Sequence, residues 1–89
     1  MKVIFIAHEY GGPDTEGRNV KKAVDLPFLP VIGMRINLFP SEGEVIHESL
    51  KVDDVAWYLE DSLAEVYFEE NLDDGEADEL IGKYGWELD

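Results

Sequence analysis

The chain has 89 residues and a formal net charge of −14, from 21 acidic side chains against seven basic ones. That length makes one small domain, and 45 per cent apolar residues with two Trp, four Tyr and four Phe place it outside the disordered class. Such charge repels phosphate backbones and anionic membranes, which argues against direct binding to either.

There is no cysteine, so no disulfide framework and no thiolate metal site. "MKVIFIA" shows no small-residue cleavage pattern, and no run reaches transmembrane length, so the expected compartment is the cytoplasm. A domain this small leaves apolar surface near solvent, which allows a homodimer.

Residues 2–10, "KVIFIAHEY", read as a strand. Val3, Phe5 and Ala7 alternate with Ile4 and Ile6, and two apolar sets predict cover on both faces. "GGPDTEGRN" (11–19) is a loop of turn formers. "VKKAVDL" (20–26) fits either a strand or one or two helical turns. Pro27 and Pro30 rule out a continuing helix by removing amide donors and pushing the preceding residues toward extended geometry. Gly33 offers a tight turn or bulge before "MRINLF" (34–39), where Met34, Ile36 and Leu38 alternate with Arg35, Asn37 and Phe39 as in a half-buried strand. "PSEG" (40–43) is a turn, and "EVIHESLKV" (44–52) is extended.

"VDDVAWYLEDSLAEVYFEE" (52–70) admits two readings. At helical spacing, Val52, Val55, Ala56, Leu59, Leu63, Val66 and Tyr67 form a stripe that leaves out Trp57 and Phe68. As a hairpin turning at Glu60-Asp61-Ser62, every aromatic sits on a pleated surface, and neighbouring extended segments pair in sequence. The hairpin is the favoured reading, although "EDS" lacks the Asn-Gly or Asp-Gly signal of a two-residue turn. Its alternation slips between Val52 and Val55, which predicts a β-bulge at Asp53-Asp54. Trp57 is then expected to face the core with Val55 and Leu59.

"DDGEADELIGKYGWELD" (73–89) carries a helix start. Asp73 with Glu76 three residues on is an acidic variant of the capping box, and acids crowd the first turn. Ala77, Leu80, Ile81 and Tyr84 make one apolar stripe, and Gly85 is the expected C-terminal cap of a helix of about two to three turns.

Chemical signatures are sparse. The phosphate-binding, dinucleotide-binding and nucleophile-elbow glycine motifs are absent. His8-Glu9 and His47-Glu48 each open like H-E-x-x-H, but the second histidine positions hold Gly12 and Lys51. "DDGEADE" fails as a calcium loop: with Gly75 at loop position six, position three is Leu72 and position twelve is Ile81. His8 and His47 with Glu9 or Glu48 could form a transition-metal set only if their strands met. Ordinary surface histidines are the simpler reading, and no metal or cofactor is expected.

Glu69, Glu70, Asp73, Asp74, Glu76, Asp78 and Glu79 form a dense acidic run. Like charges this close repel one another, and a cationic partner relieves them. Trp57 and Tyr67 are the candidate aromatic anchors beside Glu69, Glu70, Asp73, Asp74 and Glu76.

Residues 3–23, "VIFIAHEYGGPDTEGRNVKKA", resemble the opening of nucleoside 2-deoxyribosyltransferase-like proteins, with an apolar strand and a tyrosine-glycine loop. The resemblance implies an Asn-led helix next, an enzyme acting on nucleosides, and a nucleoside site at Tyr10, Gly11, Gly12 and Asn19. The chain departs from the pattern where Pro27 and Pro30 cut such a helix short, and no later strand–helix alternation follows. The family's catalytic glutamate has no assigned counterpart here.

The expected fold is mainly β: a small antiparallel meander or partly closed barrel of about five strands with one short C-terminal α-helix. The expected function is a non-enzymatic acidic protein-binding module, an adaptor or inhibitor, with nucleic-acid charge mimicry as a special case. A nucleoside-binding enzyme and a homo-oligomeric assembly module are the alternatives.

Overall fold

A computed structural model describes residues 1–11, 17–39, 49–73 and 75–89. It contains β1 (Lys2–Glu9), β2 (Arg18–Asp25), β3 (Arg35–Ile36), β4 (Leu50–Tyr58), β5 (Leu63–Phe68), α1 (Glu76–Lys83) and β6 (Glu87–Leu88). The strands form one sheet in the order β3-β4-β5-β1-β2-β6, curled into a half-barrel. The mainly β expectation with one short C-terminal helix therefore holds.

Sequential pairing holds for β1–β2, β3–β4 and β4–β5, all antiparallel, but not throughout. At the centre of the sheet β1 and β5 run parallel, with Val3 beside Ala64 and Phe5 beside Val66. Strand β1 is flanked on both edges, by β5 and β2. "VKKAVDL" resolves as strand, with Val20 opposite Ala7 and Val24 opposite Val3.

The concave face holds the core. Val3, Phe5, Ala7, Val20, Val52 and Val66 are buried on it, and Phe5 stacks on Phe68 with ring centroids 6.1 Å apart. The convex face has no second layer among the described residues. Ile4 and Ile6 are half-buried there between Ala23 and Lys21 on one side and Glu65 and Tyr67 on the other, so cover on both faces is only partial.

The bulge lies where the alternation slips. Val52 pairs with Phe68 and Asp54 with Tyr67, leaving Asp53 as the extra residue. In a regular ladder of the same residues Val52 inward would put Val55 outward, and the bulge brings both inward. The hairpin turns through residues 59–62, with Ser62 in the left-handed region at φ 52°. Gly33 occupies a tight turn at φ 93°, closed by Met34 N–H donating to Val31 O at 3.1 Å.

One correction concerns Trp57. It shares the concave face with Val55 and Ala64, yet it is 46 per cent exposed, and Leu59 is 76 per cent exposed. Strand β3 and the turn before it bond to Leu50–Val52, and among the described residues no strand flanks that side of β4 at Trp57.

Helix α1 closes one end of the half-barrel. Ala77 and Leu80 are buried, Ile81 and Tyr84 pack on the core, and the Tyr84 ring meets Phe39 edge-on at 6.0 Å. Asp73 N–H donates to Glu76 Oε1 at 2.6 Å, the glutamate half of the expected capping box. The N-cap position itself is Gly75, without a side-chain cap. Gly85 at φ 78° turns the chain so that Trp86 N–H reaches Leu80 O at 3.2 Å.

The acceptor missing at the helix start comes from elsewhere. Glu9 continues the inward set Val3-Phe5-Ala7 and is 6 per cent exposed. Its Oε2 accepts from Ala77 N–H at 2.9 Å, and its Oε1 accepts from Arg18 Nε at 3.0 Å. Arg18 also donates to Asp78 Oδ1 at 2.7 Å. Those two carboxylates, Asp78 first, hold the guanidinium above its ordinary pKa. The negative charge lies where the helix dipole is positive, and one of the helix's unbonded N–H groups gains a partner.

Candidate functional site

The acids at 69–76 are largely committed to the fold. Glu70 Oε2 accepts from Lys51 N–H at 2.8 Å and lies 4.0 Å from the Arg35 guanidinium. Glu69 pairs with Lys51 Nζ at 3.7 Å, and Glu76 bonds back to Asp73 N–H. Glu70, Asp73 and Glu76 line a polar cavity of about 360 Å³ together with Arg35 and Ser49. Asp74 lies outside the described residues.

Trp57 and Tyr67 do not join that group or each other. Trp57 pairs with Ala64 on the concave face, while Tyr67 lies on the convex one beside Ile6. Tyr67 donates its hydroxyl to Glu65. That bond, then partial burial, pushes its pKa up to about 12. The single surface of anchors and acids expected from the sequence is therefore split: Ala64, the partner of Trp57, lies three residues from Tyr67 in β5, and pleating sends residues at odd separations to opposite faces.

A different cluster forms at the end of the β4–β5 hairpin. Trp57, Tyr58 and Leu59 are three consecutive large apolar residues, 46, 42 and 76 per cent exposed. Asp53 and Asp54 precede them along the strand and Glu60 and Asp61 follow in the turn, all four exposed. Among the described residues none of these four acids has an ion-pair partner, in contrast to Glu69, Glu70 and Asp78. The end of the hairpin thus carries Trp57 on its concave face, Tyr58 on its convex face and Leu59 at the turn, an exposed apolar knuckle with unneutralised carboxylates before and after it in the chain. Leu59 and these four acids were read from the sequence as core, bulge and turn residues and not as site candidates. The available signal was an apolar triplet running straight into a turn, where no strand remains to cover it.

The histidine and nucleoside candidates fall as follows. His8 Nδ1 is hydrogen-bonded to Asn19 Oδ1 at 2.7 Å on the convex face, whereas Glu9 points into the core, so the two do not converge. His47, Glu48 and Gly12 lie outside the described residues. Tyr10 is exposed at the end of β1, Gly11 follows it, and Asn19 sits within β2 rather than at the head of a helix. Among the described residues no group of three or more His, Asp or Glu side chains could hold a metal ion, and no helix is long and apolar enough to cross a membrane. Comparison with models of known families, with curated proteins and with solved structures returns no match.

Proposed function

We propose that this chain is a non-enzymatic, acidic protein-binding module that docks a partner on the end of the β4–β5 hairpin. The observation that supports the reading is the exposed Trp57-Tyr58-Leu59 knuckle between Asp53-Asp54 and Glu60-Asp61. Interfaces concentrate their energy in a few aromatic anchors ringed by polar groups, and this surface has that anatomy on a small scale. These carboxylates, without an ion-pair partner among the described residues, favour a partner whose rim carries lysine or arginine, and they speed its approach at low salt. An apolar centre distinguishes this surface from one that only imitates phosphate charge.

Affinity capture with the full chain tests the reading. Wild type and a Trp57→Ala/Leu59→Ala variant are compared at low and high salt. The expected result is a protein recovered by wild type at low salt, weakened at high salt and lost with the variant. Equal recovery by both chains would remove the knuckle from the account.

A further inference from the structure

The open edge of β4 carries a more specific inference, which rests on the proposed docking role of the hairpin. Strand β3 pairs with Leu50 and Lys51, and Val52 completes the contact by donating to Met34 O at 2.8 Å and accepting from Gly33 N–H at 2.9 Å. Beyond Val52, no strand among the described residues lies on that side of β4.

The orientation of the free backbone groups follows from the ladder. Glu69 N–H donates to Lys51 O at 2.9 Å, so the odd-numbered residues of β5 turn their backbone groups toward β4. Their partners past the bulge are Asp54, Ala56 and Tyr58. Val55 and Trp57 therefore turn both N–H and C=O outward, away from β5. The edge offers these groups over the apolar run Val55-Ala56-Trp57-Tyr58, with Asp53-Asp54 at one end and Glu60-Asp61 at the other.

Exposed edges invite pairing with any strand, and charge and bulges are the usual protection. Here the protection is selective. A second copy pairing through the same edge brings acids beside acids and is repelled. A cationic strand is attracted by the same four carboxylates. We infer that β4 accepts, as an added strand, an extended peptide segment of a partner protein, with arginine or lysine at both ends and apolar or β-branched residues between. Backbone pairing at Val55 and Trp57 supplies the affinity, and the flanking acids supply the selectivity.

The probe is a blocked eight-residue peptide with two arginines at each end and alternating valine and threonine between. Its control is the same peptide with alternate backbone amides N-methylated, which keeps the charge and removes the pairing. Trp57 fluorescence reports binding, since Trp86 is buried, and amide exchange maps it. The expected result is added protection at Val55 and Trp57, affinity that falls with salt, and at least tenfold weaker binding of the control.

Equal binding of the two peptides overturns strand addition. So does protection confined to residues 22–25 of β2, which lie past its pairing with β6 at Val20 and Lys21, or a β4-to-β4 dimer. Capture of a Trp57-dependent partner alongside any of these results would leave the docking role standing. Failure of both experiments removes both.

Discussion

Ser62 is the residue that the hairpin strains. A non-glycine residue in the left-handed region costs about 1 kcal/mol, part of which glycine gives back through its larger unfolded-state entropy. Ser62→Gly is expected to stabilise the fold by roughly 0.5–1 kcal/mol, read as a rise in Tm of a few degrees. Tyr67 gives a second residue-level outcome. Its ordinary pKa of 10.0 is raised to about 12 by the bond to Glu65 and by partial burial. The folded state therefore holds this proton more tightly than the unfolded chain. That contribution to stability is complete below pH 10 and is lost as pH rises through about 12. Ultraviolet titration should show one tyrosine ionising late, and Tyr67→Phe should remove that late step. Glu9 continues the Val3-Phe5-Ala7 alternation of β1, but as a carboxylate it was read from the sequence only with the histidines. Its role as acceptor for Ala77 N–H was not legible, because no local pattern links residues this far apart in the chain.

The strand β4 and the helix α1 show what element-level reading can carry. The bulge at Asp53 was legible because a slip in a period-two pattern has only one cheap repair, an extra residue. Deleting Asp53 should restore a regular ladder, with Val52 and Val55 still inward, and lower stability only modestly. Deleting Ala56 breaks the inward spacing of Val55 and Trp57, and should prevent cooperative folding. Thermal melts of the two deletions check this, and equal loss in both would contradict the bulge's role. For α1, Glu9→Ala leaves the buried Ala77 N–H without its acceptor and Arg18 without its nearest inward carboxylate. The expected cost is about 2 kcal/mol, with partial recovery in Glu9→Gln, measured by chemical denaturation. The parallel pairing of β1 with β5 was not legible. Strand alternation says which face a residue takes and nothing about which strand lies beside it.

For the molecule as a whole, charge and curvature act together. The half-barrel buries one face of its sheet and closes one end with α1, while the hairpin of β4 and β5 projects Trp57, Tyr58 and Leu59 past the short β3. The candidate surface read from composition was the acidic run after residue 68, yet folding engages Glu69, Glu70 and Glu76 in ion pairs and backbone bonds. Asp53, Asp54, Glu60 and Asp61, which have no ion-pair partner among the described residues, lie beside the knuckle instead, a distinction that depends on where the cations fall in space. A photo-cross-linking side chain placed at Leu59, with Lys83 on the exposed flank of α1 as the control position, reads that surface in place. The expected result is a discrete adduct from Leu59 that disappears at high salt and is absent from Lys83. The same adducts from both positions, or none from Leu59 at low salt, would contradict it.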